Sequence, residues 1–120
     1  MAQSGAGCQI SAANTNRDGT GTMSTLWTAG ANGAQINRIE IQAIVTTTAG
    51  MIRFFIYDGA ATRLWKEVLV TAVTPSGSVA AFSDSVDPSP PLTLAPNEVL
   101  KVATNNAETF NVRVTNGFQF

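Results

Sequence analysis

Eight carboxylates, Asp18, Glu40, Asp58, Glu67, Asp84, Asp87, Glu98 and Glu108, are the groups in this chain best suited to move a proton or hold a cation. Acid–base catalysis on carboxylates needs two of them in one cleft. These fall mostly in turns or on the polar phase of alternating strands, where solvated side chains belong. The chain has no histidine, so the commonest proton shuttle and a common zinc ligand are both missing. No G-x-S-x-G elbow is present to raise a serine nucleophile. Cys8 is the single cysteine. It cannot close an internal disulfide, it has no histidine to make it a thiolate, and it reads as a small, partly buried apolar residue. Calcium is the one ion worth testing. Asp84-Ser-Val-Asp87, or Asn14 with Asn16 and Asp18, offer oxygen ligands, but neither has calcium-loop spacing and both read better as Asx turns and strand ends. Gly19-Thr-Gly21 lacks the lysine and the following helix of a phosphate loop. The sequence therefore predicts no catalytic residue, no cofactor and no metal: the chain reads as non-enzymatic.

Composition points the same way. Only 12% of the 120 residues are charged, about half the usual ~25%. Small polar residues take their place, giving a weakly charged surface with few ions to desolvate on contact. The net charge is -1, and Arg17, Arg38, Arg53, Arg63, Lys66, Lys101 and Arg113 are scattered. Phosphate neutralisation needs a basic cluster, so neither nucleic acid nor an anionic membrane is an expected partner. No apolar run approaches the ~20 residues of a membrane span. The first residues lack the basic start and apolar stretch of a signal peptide, which gives synthesis in a cytoplasm as the expectation.

The elements that would position these groups are strands. Ile36–Asp58 carries the plainest signal. Ile39, Ile41, Ala43 and Val45 alternate with Arg38, Glu40 and Gln42, then Met51–Tyr57 is almost solidly apolar. A half-buried strand feeding a doubly buried one is the pattern of a packed all-β core. Further strands are read at 9–13, 20–28, 63–71, 78–86 and 92–94. Residues 98–104 and 109–115 read as a last hairpin around Asn105-Asn106-Ala107-Glu108. Helix competes for Arg63–Leu69, but that segment leaves a glycine turn and runs into Val-Thr-Ala-Val-Thr-Pro, which favours strand. About eight strands with turn signals every 8–12 residues predict an all-β, single-domain antiparallel sandwich, jelly-roll-like in outline. Residues 1–13 are expected as an extended N-terminal arm on a domain of residues 14–120. Trp27, Trp65, Phe82 and Tyr57 could line a sugar platform. Each lies in an alternating strand, so core and interface packing is the preferred reading.

Several segments carry a resemblance. Asn14–Thr22 (NTNRDGTGT), the loop Thr28–Gly33 (TAGANG), the turn Thr46–Met51 (TTAGM after Thr46), Ile56–Gly59 (IYDG), Thr71–Ser76 and Thr104–Val112 together resemble small virion-associated proteins of tailed bacteriophages. The resemblance implies a capsid decoration (cement) protein, all-β, bound to the outside of the head. It implies the major capsid protein as partner, bridged between neighbouring subunits, and self-association as a homotrimer. On that reading the arm would bring Gln3, Cys8 and Ile10 to the shell as an added strand or clamp, with Trp27, Trp65 and Phe120 as anchors. Removing residues 1–13 would then leave the domain folded and weaken capsid binding. The alternative is a tail or fibre module that binds a host-surface glycan through exposed aromatics and the loops around Asn32, Asp58 and Asn105.

Overall fold

The computed structural model describes residues 2–3 and 6–120, with side chains from residue 7 onward. Among the described residues there are ten strands and no helix. Strands β1 (Ala2–Gln3) and β2 (Ala6–Ile10) follow one another along one edge of β10 (Phe110–Gln119). On its other side β10 pairs with β4 (Ala34–Ala43). The far edge of β4 takes β7 (Ser83–Val86) and then β8 (Leu92–Leu94). The second sheet runs β3 (Ser24–Thr28), β9 (Val99–Thr104), β5 (Gly50–Tyr57) and β6 (Thr62–Val70). All named pairings are antiparallel. With β1 and β2 sharing one position and β7 and β8 another, each sheet has four positions. The chain crosses from sheet to sheet at every connection except the β1–β2 link, the β5–β6 hairpin and the β7–β8 link. That order is the jelly roll, two Greek keys wound together, as the alternation and turn spacing predict.

Pairing differs from the sequence reading at three places. The strands on either side of Thr46–Gly50 lie in opposite sheets, so this segment spans the sandwich instead of closing a hairpin. The same holds for 98–104 and 109–115: β9 pairs with β3 and β5, and β10 with β2, β1 and β4. Both strands of each set bury one side, and placing them face to face buries both sides at once. The third difference is the arm. Its residues 6–10 form β2, in register with β10 from Ile10↔Phe110 to Ala6↔Val114, and Ile10 is buried.

Two bulges keep the core in phase. In β4 the buried Ile36 and Ile39 are three apart, which breaks a period of two. In β10 the buried Val114 and Gly117 are also three apart. The register of this pair shifts at Asn116, so both strands change phase together and all four positions stay inward. A Cβ on Gly117 would lie 3.0 Å from the Val114 side chain and 3.1 Å from the Gln35 carbonyl oxygen, so this glycine lets β10 pack closely at the bulge. Around them, Phe54, Phe110, Ile41, Ile52, Leu94, Leu100, Val102 and Val112 fill the space between the sheets. Phe82 meets Phe110 edge-on at 6.3 Å.

Strand directions collect the connections at two ends. Residues 11–23, 44–49, 71–82 and 105–109 leave from one end, and 29–33, 58–61 and 95–98 from the other, while 87–91 links β7 to β8 along the side of β4.

Candidate functional site

The middle of the outer face of the β3-β9-β5-β6 sheet is covered. Arg53 and Phe55 point away from the core on β5, yet both are buried. Residues 11–23 form a strap across them. Ala13 bridges Thr104, and the Asn14 amide donates to the Thr104 carbonyl at 2.8 Å. Arg17 reaches Glu67 on β6 (Nε–Oε2 2.8 Å). Gly19 packs on Thr62 with φ +88°, where a Cβ would come within 2.2 Å of the Thr62 carbonyl oxygen. The chain then returns to β3. Asn14 stitches the two limbs, its Nδ2 donating to the carbonyls of Thr20 and Thr22 at 3.1 and 2.9 Å. Beneath the strap, Arg53 donates to Glu67 Oε2 (2.8 Å), Asn14 O (3.2 Å) and Asn105 Oδ1 (3.1 Å). Hydrogen bonds from Arg17 and then Arg53 hold the Glu67 carboxyl below its ordinary value. An arginine inside a solidly apolar strand was the available sequence signal for this buried ion pair.

Charge is absent from most of one end of the sandwich. No residue in 44–49 or 71–82 is Asp, Glu, Lys or Arg. Ile44, Val45 and Val79 are exposed there, and Leu69, on the outer side of β6, is 59% exposed. The alternation read through Val45 stops at Ala43, where β4 ends. The two loops are tied together: Thr47 and Val73 exchange backbone hydrogen bonds at 2.9 and 3.2 Å, and the Thr47 hydroxyl donates to the Thr71 carbonyl at 2.8 Å. The other neighbour of 44–49 is the β9–β10 loop, where Glu108 Oε2 accepts from the Thr48 amide and hydroxyl. This end is a neutral, partly apolar platform with a hydrogen-bonded frame. Its signal in the sequence was the long charge-free run from Thr71 to Phe82.

The other end is polar. Asp58 caps the β5–β6 turn: it accepts from the Ala60 and Ala61 amides at 2.9 and 2.8 Å and from Arg63 Nη1 at 2.6 Å. The Ala61 and Ala60 amides, then Arg63, hold its carboxyl down at about 2. That direction suits a permanent anion, not a proton donor. Asp58 shares a cleft of 230 Å³ with Ile56, Arg63, Leu64, Trp65 and Glu98.

The oxygen-rich segments considered for calcium are engaged in local structure. Asp18 Oδ1 accepts from the Thr20 amide and hydroxyl, and Asn16 Nδ2 donates to Thr20 Oγ1. Asp84 Oδ1 accepts from the Ser85 amide, and Asp87 Oδ1 from Arg38. Among the described residues, no three His, Cys, Asp or Glu side chains come together as a metal site.

The six residues named as contacts do not form one surface. Ile10 and Trp27 are core residues, so their side chains are unavailable to a partner as the domain stands. The Trp27 indole N–H is buried without a hydrogen-bond partner among the described residues. Cys8 is half-buried opposite Val112, and burial pushes its thiol up to about 11. Trp65 is half-buried at the edge of its sheet, edge-on to Phe54 at 6.2 Å. Phe120 is exposed at the polar end, edge-on to Phe118, with its amide bonded to the Gly33 carbonyl. Gln3 pairs through its backbone with Phe118, and its side chain lies outside the described residues. Ile44, Val45 and Val79 were not anticipated as surface residues.

No protein-family model matches the chain, and no curated protein matches it in sequence.

Proposed function

We propose that this chain is a structural protein of a tailed-phage virion, a decoration protein made in the host cytoplasm and bound to the outside of the head. Its partner is the major capsid protein, and it acts as a homotrimer that bridges neighbouring capsid subunits. The observation that carries the reading is the neutral end built from residues 44–49 and 71–82, with Ile44, Val45 and Val79 exposed. Docking through such a surface removes apolar area from water without stripping hydration from ions. The motifs behind the resemblance serve rigidity. Asn14–Thr22 is the strap, and Thr104–Val112 frames the neutral end. A rigid body loses little conformational entropy on docking, and a ligand that binds only the assembled lattice stabilises it by mass action.

The test is co-sedimentation of purified protein with undecorated capsids. Ile44→Asp and Val79→Asp should fold normally, since both sites are exposed, and should lose binding. Phe120→Asp, at the opposite end, should bind as wild type. Retained binding by both loop variants would remove the docking surface. A monomer by light scattering at working concentration would remove the trimer.

A further inference from the structure

We infer that the cleft at the polar end is a binding site for a single neutral pyranose ring. The inference rests on the cleft alone and does not depend on the decoration reading. Trp65, Ile56 and Leu64 give the cleft its apolar wall, and Asp58, Arg63 and Glu98 supply its hydrogen-bonding groups. That division matches a sugar ring, which has an apolar C–H face for an aromatic and equatorial hydroxyls for planar, bidentate side chains.

Both halves are held in place before a ligand arrives. The pairing of β5 with β6 shifts register between Phe54 and Phe55, where Trp65 is the extra residue on β6. Such a bulge redirects a side chain at a sheet edge. Phe54, fully buried, then fixes the indole edge-on at an interplanar angle of 73°. Asp58 is locked by two backbone amides and Arg63, and Glu98 Oε1 accepts from the Ala95 amide at 2.6 Å. A preorganised site of this kind avoids the ordering cost of binding.

Size and charge narrow the ligand. The 230 Å³ cleft is smaller than the ~300–1,000 Å³ of pockets for drug-sized ligands. One ring fits that space better than an extended chain. Asp58 and Glu98 are balanced by Arg63 and by Lys66, whose Nζ lies 5.9 Å from the Trp65 ring centroid, so the cleft has no excess of cations to hold a sialic acid or a sugar phosphate. Neutral hexoses and N-acetylhexosamines need none. On a head docked through its neutral end, this cleft would face away from the shell.

The probes are the methyl glycosides of glucose, galactose, N-acetylglucosamine and N-acetylgalactosamine, with N-acetylneuraminic acid as the anionic control. Full-length protein is titrated by ¹⁵N NMR up to about 50 mM sugar, a range that captures millimolar affinity. At least one neutral glycoside should shift the Trp65 indole N–H and the Gly59 and Arg63 amides, leaving the Trp27 indole still. Arg63→Ala, at an exposed site, and Asp58→Asn should each weaken binding roughly tenfold, the loss of one charged hydrogen bond. Trp65→Ala should abolish it, with Trp65→Phe restoring part if Trp65→Ala fails to fold. Absence of shifts with all four glycosides overturns the site, as does binding unchanged in Arg63→Ala and Asp58→Asn. Capsid co-sedimentation of Arg63→Ala should be normal, so failure of this site and failure of the docking end are read separately.

Discussion

Arg53→Met removes one charge from beneath the strap while keeping an apolar side chain of similar length. Three hydrogen bonds disappear: those to Glu67, Asn14 O and Asn105. Stripping one partner from a fully buried ion pair costs about 3–5 kcal/mol. Glu67 is 28% exposed and retains Arg17, so it is not stranded, and the cost should fall at the low end, about 3 kcal/mol. For a domain of this size each kcal/mol moves Tm by roughly 4 °C, giving a drop of about 10–15 °C. Arg17 bonds the same carboxylate oxygen at the same distance but is 58% exposed. Arg17→Ala should therefore cost no more than about 1 kcal/mol. Urea unfolding gives the energies. Native-state trypsin digestion gives the mechanism, because the strap carries Arg17 and its loosening should speed cleavage there. If Arg53→Met stays within about 1 kcal/mol of wild type and cleavage after Arg17 is no faster, Arg53 does not hold the strap.

Four further outcomes follow from the same geometry. Stability should be nearly flat from pH 5 to 8, since the chain has no histidine and burial has pushed Cys8 upward. Glu67 and Asp58 have folded values depressed below 4.5 and 3.8, so their contributions are whole above those values. They are lost as pH falls through the depressed values, about 2 for Asp58; acid titration followed by circular dichroism should show the loss, and Glu67→Gln should blunt it. Gly19→Ala should cost at least about 2 kcal/mol in urea unfolding, from a left-handed φ and a clash with the Thr62 carbonyl. Trp27→Phe should be tolerated within about 1 kcal/mol by thermal unfolding, because the buried N–H it deletes has no partner among the described residues and lost volume is offset by relief of that donor. Deleting residues 2–10 should destabilise the domain by at least about 2 kcal/mol, since it strips β2 from β10 and removes the buried Ile10; a truncated protein with wild-type Tm would contradict that pairing.

Strand positions were legible because burial imposes a period of two. Ile39, Ile41 and Ala43 on β4, and Phe110, Val112 and Val114 on β10, are buried as their alternation predicts. Pairing was not legible, because alternation marks which side of a strand is apolar and says nothing about what covers it. The turn read at Asp58-Gly59 does join paired strands, β5 and β6. The hairpin read for 98–104 and 109–115 fails, and the Thr46–Gly50 turn crosses between sheets, because those segments are held by non-local bonds: Glu108 to Thr48, and Thr47 to Val73. The strap was read as a turn cluster for a similar reason. Its Asx turns are local and visible in Asn14–Gly19, while its purpose, covering Arg53 and Phe55, depends on residues forty positions away. The polar cleft was half visible: Asp58 and Trp65 were singled out separately, and only the hairpin brings them together.

The two ends of the sandwich differ in a way the fold does not require. Ile44, Val45 and Val79 lie outside the buried core and leave 52%, 37% and 47% of their surface in solvent. Threonine at those positions would expose less apolar surface and would improve solubility. At the opposite end, Asp58, Arg63 and Glu98 supply the charge that the neutral loops lack. A free-standing domain gains nothing from two loops without ions and with apolar side chains in water. A domain that spends its working life with that end covered loses nothing by it. On the proposed reading, the segregation of charge marks the end that would dock, and the strap, the Arg53–Glu67 pair and the double bulge would keep that body stiff.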